Sequence, residues 1–347
     1  FNQTIENVGA SLSVSAGAHS TDFGSTSLSE DFPRMVEVMA DTLRRPMFPS
    51  EHIERVRNQR LIQIQEREND TQQVAGLLFY ETIYGNHPYG RSSAGYTETV
   101  NRIQREDLLA FHAQRFTPKG AALVVSGDVD TEGVVDLLHS HFGDWSGPVA
   151  DQSVPAIQTR KEVERLSVPL PDKMQTDIVV GCQAVGRSHP DYYAIRMADT
   201  VLGRFGMMGR LGENVREEQG LAYYVYSTHD ANLAGGVWLA AAAVNPANVE
   251  LAIDSILAEF DRLGSEPVSE TELADSQAFL TGVVPLTLET NEGVATTLLS
   301  MEWHGLGLDY LLRYNDLIYG VTAADLQRVA GQYLRTDRYT LVTAGPS

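Results

Sequence analysis

The second half of the sequence repeats the first half after an offset of about 215 residues. A repeat of this length indicates a duplicated globular domain rather than the short units of a solenoid. Position 1 corresponds to about position 212 of the second copy, so residues from about 160 to 211 have no counterpart in the first copy. We therefore expect a first domain that lacks its N-terminal part. A gap-free match at an offset of 218 pairs Asp107-Leu108 with Asp325-Leu326, Gln114 with Gln332, Leu123-Val124 with Leu341-Val342, and Gly127 with Gly345.

Both halves mix strand and helix patterns, which predicts the α+β class, with helices packed on mostly antiparallel sheets. Residues 121–126 and residues 236–244 are apolar runs that each predict a buried strand. Residues 146–160 contain glycine and proline with few large apolar side chains, which is typical of a linker. We therefore predict a first domain at residues 1–145 and a second at residues 161–347.

The formal net charge of −20 argues against a nucleic acid or an anionic membrane surface as a partner. It would attract basic peptides, although solubility alone also explains it. Cys182 is the only cysteine, so no disulfide can form within the chain. The longest apolar run, Leu233 to Val244, is too short to span a bilayer. We expect a soluble protein of the bacterial cytoplasm or periplasm, with the compartment undetermined.

The histidines do not form a recognisable zinc motif. Neither H-E-x-x-H nor H-x-x-E-H occurs in the sequence. His139 and His141 are two residues apart near a helix end, so they point to different faces, and we expect solvated or capping residues. A G-x-S-x-G motif is also absent, and Cys182 lies in an apolar stretch that predicts an inert thiol. We therefore predict no zinc site and no nucleophile within this chain.

Four glycines recur at every third position before a charged segment. This spacing is not the dinucleotide fingerprint, which opens a helix directly after a strand, and no Walker lysine follows it. It predicts an exposed, flexible loop, and such loops beside a cleft often contact ligands. The four residues are Gly203, Gly206, Gly209 and Gly212.

The segment that follows combines an arginine with a tyrosine. A short charged helix containing Arg216 is expected to end at Gly220, and a strand containing Tyr223 is expected to begin directly after it. Arginine offers a fixed fork of donors and tyrosine a hydroxyl, and both can hold a peptide carbonyl or a developing oxyanion. The alternative is an exposed arginine and a half-buried tyrosine without a chemical role.

Stretches over nearly the whole chain resemble the pitrilysin family of zinc peptidases, in the branch of the mitochondrial processing peptidase. The resemblance implies two tandem homologous α+β domains that face each other across a cleft. In active members an H-x-x-E-H helix supplies two zinc ligands and the general base, and here that helix would fall before Phe1. The matching stretches are Ile5 to Ala16, Asp31 to Asp41, Ile53 to Asp70, His87 to Gly90, Phe111 to Asp130, and Gly209 to Ser227.

The position of the third zinc ligand departs from the family pattern. The family has a glutamate there, and the gap-free match places Gln63 at that point. A neutral amide is a poor zinc ligand beside a carboxylate. In the strand that pairs with substrate, the resemblance places Ser13 and Ala16 where members usually carry Asn and Thr. The resemblance therefore implies no metal in this chain, and zinc in a partner subunit.

Arg216 and Tyr223 keep the family spacing, in which members present them from the second domain toward the zinc-bound substrate. The resemblance further implies that Ser13, Gly206 and Gly209 contact substrate. We predict a non-catalytic, substrate-binding subunit of a heterodimeric zinc peptidase. Its partner would be a zinc-bearing homologous subunit or a second copy of this chain, and its substrate a peptide or unfolded polypeptide. The alternatives are a zinc endopeptidase in its own right and a structural assembly subunit of the same fold.

Overall fold

The computed structural model describes residues 2–148, 153–204 and 209–346. They group into two compact units that are each discontinuous in sequence. The smaller unit combines Phe1–Leu61, Tyr96–Ser153 and Leu286–Gly307, and the larger unit combines Ile62–Gly95, Val154–Pro285 and Leu308–Ser347. These units reflect spatial contacts, whereas the predicted tandem division at residues 146–160 reflects homology between segments. The tandem division stays a prediction.

Helices account for most of the regular structure, and the α+β class is confirmed. The strands are β1 Ser11–Ala16, β2 Thr21–Thr26, β3 Glu164–Pro169, β4 Thr176–Ala184, β5 Ala222–Ala231, β6 Gly236–Val244 and β7 Thr340–Gly345. The α-helices are α1 Asn2–Glu6, α2 Phe32–Arg44, α3 Ser50–Glu68, α4 Thr71–Tyr84, α5 Thr97–Arg102, α6 Arg105–Arg115, α7 Thr131–Phe142, α8 Tyr192–Asp199, α9 Val249–Ser265, α10 Glu270–Thr287, α11 Asn291–Trp303, α12 Tyr310–Tyr319 and α13 Ala323–Tyr333. Two π-helical segments, Thr200–Arg204 and Gly212–Glu218, lie between α8 and β5.

The larger unit contains a five-stranded sheet in the order β3-β7-β4-β6-β5. All neighbouring strands are antiparallel except β3 and β7, which are parallel. Every residue of β6 is buried, which explains why its sequence is a continuous apolar run without alternation. This finding confirms the buried strand predicted for residues 236–244.

Helix α4 covers one face of this sheet. It begins where the carboxylate of Asp70 accepts a hydrogen bond from the amide of Gln73 at 2.8 Å. Such a cap satisfies a backbone donor that has no partner within the first helical turn. Phe79 and Ile83 of the helix are almost fully buried in a cluster with Val179 of β4 and other apolar residues of the sheet. The helix and the inner strands therefore share one apolar core.

The strand predicted at residues 121–126 is wrong, because the structure shows no strand there. Its counterpart in the repeat is β7, which lies between β3 and β4 in the larger sheet. The residues that form β3 and β4 belong to the stretch that has no counterpart in the first copy. A strand needs neighbouring strands to satisfy its backbone groups. Among the described residues no strand pairs with this run, and Leu123 is 48% exposed, although its sequence suits a sheet interior.

The smaller unit contains a β-hairpin, in which β1 and β2 pair antiparallel. Arg105 of α6 donates hydrogen bonds to the backbone carbonyls of Met47 and Phe48, each at 2.9 Å. His112 of the same helix lies 2.8 Å from the carbonyl of Leu43. These contacts hold the connection between α2 and α3 against α6.

None of the helices in the described part of the chain is long and apolar enough to cross a membrane.

Candidate functional site

The π-helical segment Gly212–Glu218 carries Arg216 and turns directly into β5. The turn depends on Gly220, whose φ of +62° lies in the left-handed region that favours glycine. Its amide donates to the carbonyl of Arg216 at 3.1 Å, and the amide of Leu221 donates to the carbonyl of Val215 at 3.0 Å. The helix end predicted at Gly220 is therefore confirmed, and it connects Arg216 to the start of the strand.

One side of this segment is fixed to helix α9. Asn214 donates to the carboxylate of Glu259 at 2.6 Å, and the amide nitrogen of Gln219 lies 3.1 Å from the hydroxyl oxygen of Ser255. Val215 of the same segment is fully buried. The segment is therefore held by polar and apolar contacts together.

A second contact fixes the start of the segment to helix α10. The guanidinium of Arg210 donates two hydrogen bonds to the carboxylate of Glu272, at 2.6 and 3.1 Å. Burial alone would raise the pKa of Glu272, but hydrogen bonds from Arg210 and Ser269 lower it to about 2. Only 8% of the Arg210 side chain is exposed, so this ion pair is shielded from solvent on the arginine side.

Arg216 has a partly exposed side chain on this segment. Its side chain is 38% exposed and lies 3.7 Å from the carboxylate of Glu217. An ion pair this exposed and this long contributes little to stability. The guanidinium is therefore accessible to a ligand, on a segment whose backbone is fixed by its neighbours.

Tyr223 is the extra residue of a β-bulge at the start of β5. Ala222 lies opposite Val244 and Tyr224 lies opposite Ala243, which leaves Tyr223 without a partner on β6. A bulge releases one residue from the alternation of faces and redirects its side chain. Tyr223 is 59% exposed, while Ala222 beside it is buried. Two consecutive tyrosines give no local signal for a bulge, so the bulge could not be predicted from the sequence.

The strand that carries Tyr223 is bound to its surroundings by two phenol–carboxylate pairs. The hydroxyl of Tyr224 donates to Asp177 of β4, and the hydroxyl of Tyr80 of α4 donates to Asp230 near the other end of β5. Burial, followed by the carboxylate at each hydroxyl, raises the pKa of both tyrosines well above the ordinary value. Both phenols therefore stay protonated at every pH near neutrality.

These raised pKa values predict a loss of stability in alkali. Unfolded tyrosines lose their protons near pH 10, whereas Tyr80 and Tyr224 keep theirs while the protein is folded. Above that pH the folded state binds more protons than the unfolded state, so the free energy of unfolding falls as pH rises. Urea unfolding at about pH 8 and about pH 11 should show this decline. Tyr80→Phe should make the decline smaller, and an unchanged slope in that variant would contradict the assignment.

The structure gives less support for the substrate contacts predicted for Ser13 and the glycines. Ser13 is exposed on β1 opposite Gly24, and its hydroxyl lies 3.4 Å from the carbonyl of Gly24. Gly206 lies outside the described residues. Gly209 is buried, and a side chain there would come within 2.8 Å of the backbone of Gly203. The exposed loop predicted for these glycines is therefore wrong at Gly203, Gly209 and Gly212, which are all buried. Gly203 and Gly209 lie so close to neighbouring backbone that a larger side chain would not fit. Their role toward substrate stays a prediction.

Gln63 lies on helix α3 with its side chain exposed, while the neighbouring Ile64 is buried. Among the described residues, no group of three or more His, Cys, Asp or Glu side chains is placed to hold a metal ion. A zinc ion in a peptidase needs about three such ligands. That Gln63 stands at the position of a zinc-binding carboxylate stays a prediction from the resemblance.

Two family descriptions match the chain in succession. Residues 1–96 match "Insulinase (Peptidase family M16)", and residues 102–280 match "Peptidase M16 inactive domain". The second match alone covers more than half of the chain.

Curated relatives carry peptidase names. An uncharacterized zinc protease of Mycobacterium leprae is 29% identical over 354 residues, which span 99% of this chain and 77% of the relative. The mitochondrial-processing peptidase subunit beta of Bos taurus is 28% identical over 284 residues, which span 80% of this chain and 58% of that subunit.

Solved structures show the same fold. A peptidase M16 inactive domain from Pseudomonas fluorescens gives a TM-score of 0.87 at 22% identity, over 100% of this chain and 83% of that one. A protease from Helicobacter pylori gives a TM-score of 0.90 at 21% identity, over 99% of this chain and 84% of that one. Together with the family matches, they show that the chain belongs to peptidase family M16, the pitrilysin family indicated by its sequence motifs.

Proposed function

We propose that this chain is the non-catalytic, substrate-binding subunit of a two-subunit zinc peptidase. The observation that carries the proposal is the contrast between two positions of the family pattern. Tyr223 is kept and presented on a bulge with 59% of its surface exposed, whereas Gln63 replaces a zinc-binding carboxylate. A chain with this combination can bind a peptide bond but lacks a ligand for the metal.

Arg216 and Tyr223 would act as hydrogen-bond donors to the peptide. The guanidinium offers a planar fork of N–H groups, and the phenol offers one O–H. Both can bind a carbonyl oxygen and hold it more tightly as negative charge develops on that oxygen. The partner subunit would bring zinc and the general base.

The substrate would be a basic or unfolded peptide. The net charge of −20 favours basic ligands through long-range attraction. β5, which carries Tyr223, forms one edge of the sheet in the larger unit. An extended peptide can add to such an edge through backbone hydrogen bonds, which require no particular sequence.

The partner would be a homologous zinc-bearing chain or a second copy of this one. Support comes from the similarity to a protein that is itself named as the beta subunit of a processing peptidase. A second candidate function, a zinc peptidase in its own right, is favoured by the names of the mycobacterial relatives, which are called zinc proteases.

The test compares three purified samples from the source organism. They are the full-length gene product, a homologous chain with an H-x-x-E-H motif, and their mixture. Zinc content is measured by mass spectrometry, and cleavage is followed with fluorogenic basic peptides. Cleavage by the mixture above the sum of the separate rates supports the proposal. Stoichiometric zinc and cleavage by this gene product alone would establish the second candidate, and a mixture without added activity would leave the structural assembly role.

A further inference from the structure

Tyr224, Ala243 and Asp177 form a row across three neighbouring strands. Tyr224 lies opposite Ala243 in the pairing of β5 with β6, and Asp177 lies opposite the same alanine in the pairing of β4 with β6. Residues of one row point to the same face of a sheet. Because Ala243 has only a methyl group, the phenol of Tyr224 can reach across it, and its hydroxyl donates to Asp177.

Asp177 is a fixed acceptor. It is 1% exposed, and its other carboxylate oxygen accepts hydrogen bonds from Thr71 at 2.5 Å and from Gln175 at 2.9 Å. Thr71 is the first residue of helix α4, so the carboxylate joins that helix to the sheet. One oxygen is thus left for a phenol that arrives from the row of Ala243. Leaving this buried oxygen without a hydrogen-bond donor would cost free energy, so the folded state in which a hydroxyl binds to it is strongly favoured.

The two consecutive tyrosines could exchange places in this arrangement. If the bulge moved by one residue, Tyr223 would lie opposite Ala243 and Tyr224 would become the extra residue. No other pairing would change, because Ala222 would keep Val244 and the strand beyond the bulge would keep its register. The phenol opposite Ala243 is bound to Asp177, and the other phenol is exposed. In the structure Tyr224 is bound and Tyr223 is exposed.

We infer that Asp177 is a positioning residue that holds Tyr224 in the sheet and thereby keeps the phenol of Tyr223 free at the surface. This role follows from the register and the hydrogen bonds, whereas its importance for peptide binding rests on the proposed function. Removing the hydroxyl of Tyr224 should make the phenol of Tyr223 inaccessible at the surface, although the side chain of Tyr223 is not itself changed.

The test measures the nitration rate of individual tyrosines by tetranitromethane, followed by peptide mass spectrometry. In Tyr224→Phe the bulge should move, so that Tyr223 binds Asp177 and is nitrated about tenfold more slowly than in the wild type. A merely structural role for Tyr224 predicts the opposite result, because a loosened strand exposes Tyr223 further. The double variant Tyr224→Phe/Asp177→Ala removes the competing acceptor and should return Tyr223 to its wild-type rate.

A second variant tests the same inference at an exposed position that does not threaten folding. In Tyr223→Phe the phenol of Tyr224 should stay bound to Asp177 and react slowly. Tyr319, which is 57% exposed, serves as the internal reference for a reactive tyrosine. The inference is overturned if Tyr224 in this variant reacts as fast as Tyr319, or if Tyr223 in Tyr224→Phe reacts at the wild-type rate or faster. Neither measurement needs a partner subunit, so its result is separate from that of the proposed function.

Discussion

Tyr223→Phe is expected to lower kcat of the mixed two-subunit complex by about 10–1000-fold, with little change in KM, on the magnitudes measured for single oxyanion donors. The phenol is exposed on a bulge, so its loss removes a donor without disturbing the core. A donor that acts mainly as charge develops stabilises the transition state more than the bound substrate. The measurement is steady-state cleavage of a fluorogenic basic peptide by the mixed complex.

Tyr226→Phe is the matched control. Tyr226 lies on the same strand, but it is half-buried and packs against the apolar cluster under helix α4. Its variant should keep the wild-type kcat. If Tyr223→Phe were as active as this control, Tyr223 would have no part in the reaction.

Glu272→Ala is expected to lower the free energy of unfolding by about 2–3 kcal/mol, below the range for fully buried pairs because the glutamate is partly exposed. The substitution leaves the guanidinium of Arg210, which is 8% exposed, without its carboxylate partner. Unpaired buried charge is the main cost. Urea unfolding of the variant and of the wild type measures the difference.

The double variant Arg210→Met/Glu272→Leu separates the cost of an unpaired charge from the value of the ion pair. Replacing both charges with apolar side chains of similar volume should recover most of the lost stability. If the double variant were less stable than Glu272→Ala, the ion pair itself would be the stabilising element. Either way the pair holds the start of the segment that carries Arg216.

The carboxylate of Glu272 also makes the free energy of unfolding depend on pH. The pKa of Glu272 is about 2 in the folded protein, below its ordinary value of 4.5. A lowered pKa contributes stability that is present above the ordinary value and is lost as pH falls toward the folded value. The difference in stability between wild type and Glu272→Ala should therefore shrink in acid.

Much of the larger unit could be predicted from local sequence. The apolar run of residues 236–244 predicts β6 with its observed bounds, and Gly220 predicts the end of the segment that carries Arg216. Burial and backbone handedness impose these patterns on neighbouring residues, so they can be read from a few positions at a time. The prediction for residues 121–126 failed, although the run is equally apolar, because a strand also requires partners.

Some features of the candidate site could likewise be predicted from the sequence, and others could not. Motifs spread over nearly the whole sequence identify the family. The family spacing also predicts the roles of Arg216, Tyr223 and Gln63, and these roles stay predictions. Which of the two consecutive tyrosines is exposed can be read only from the folded chain. That outcome depends on Asp177, which is distant in sequence and meets Tyr224 only because β4, β6 and β5 lie side by side. A local pattern contains no information about a partner on another strand, and here that partner holds Tyr224 in the sheet.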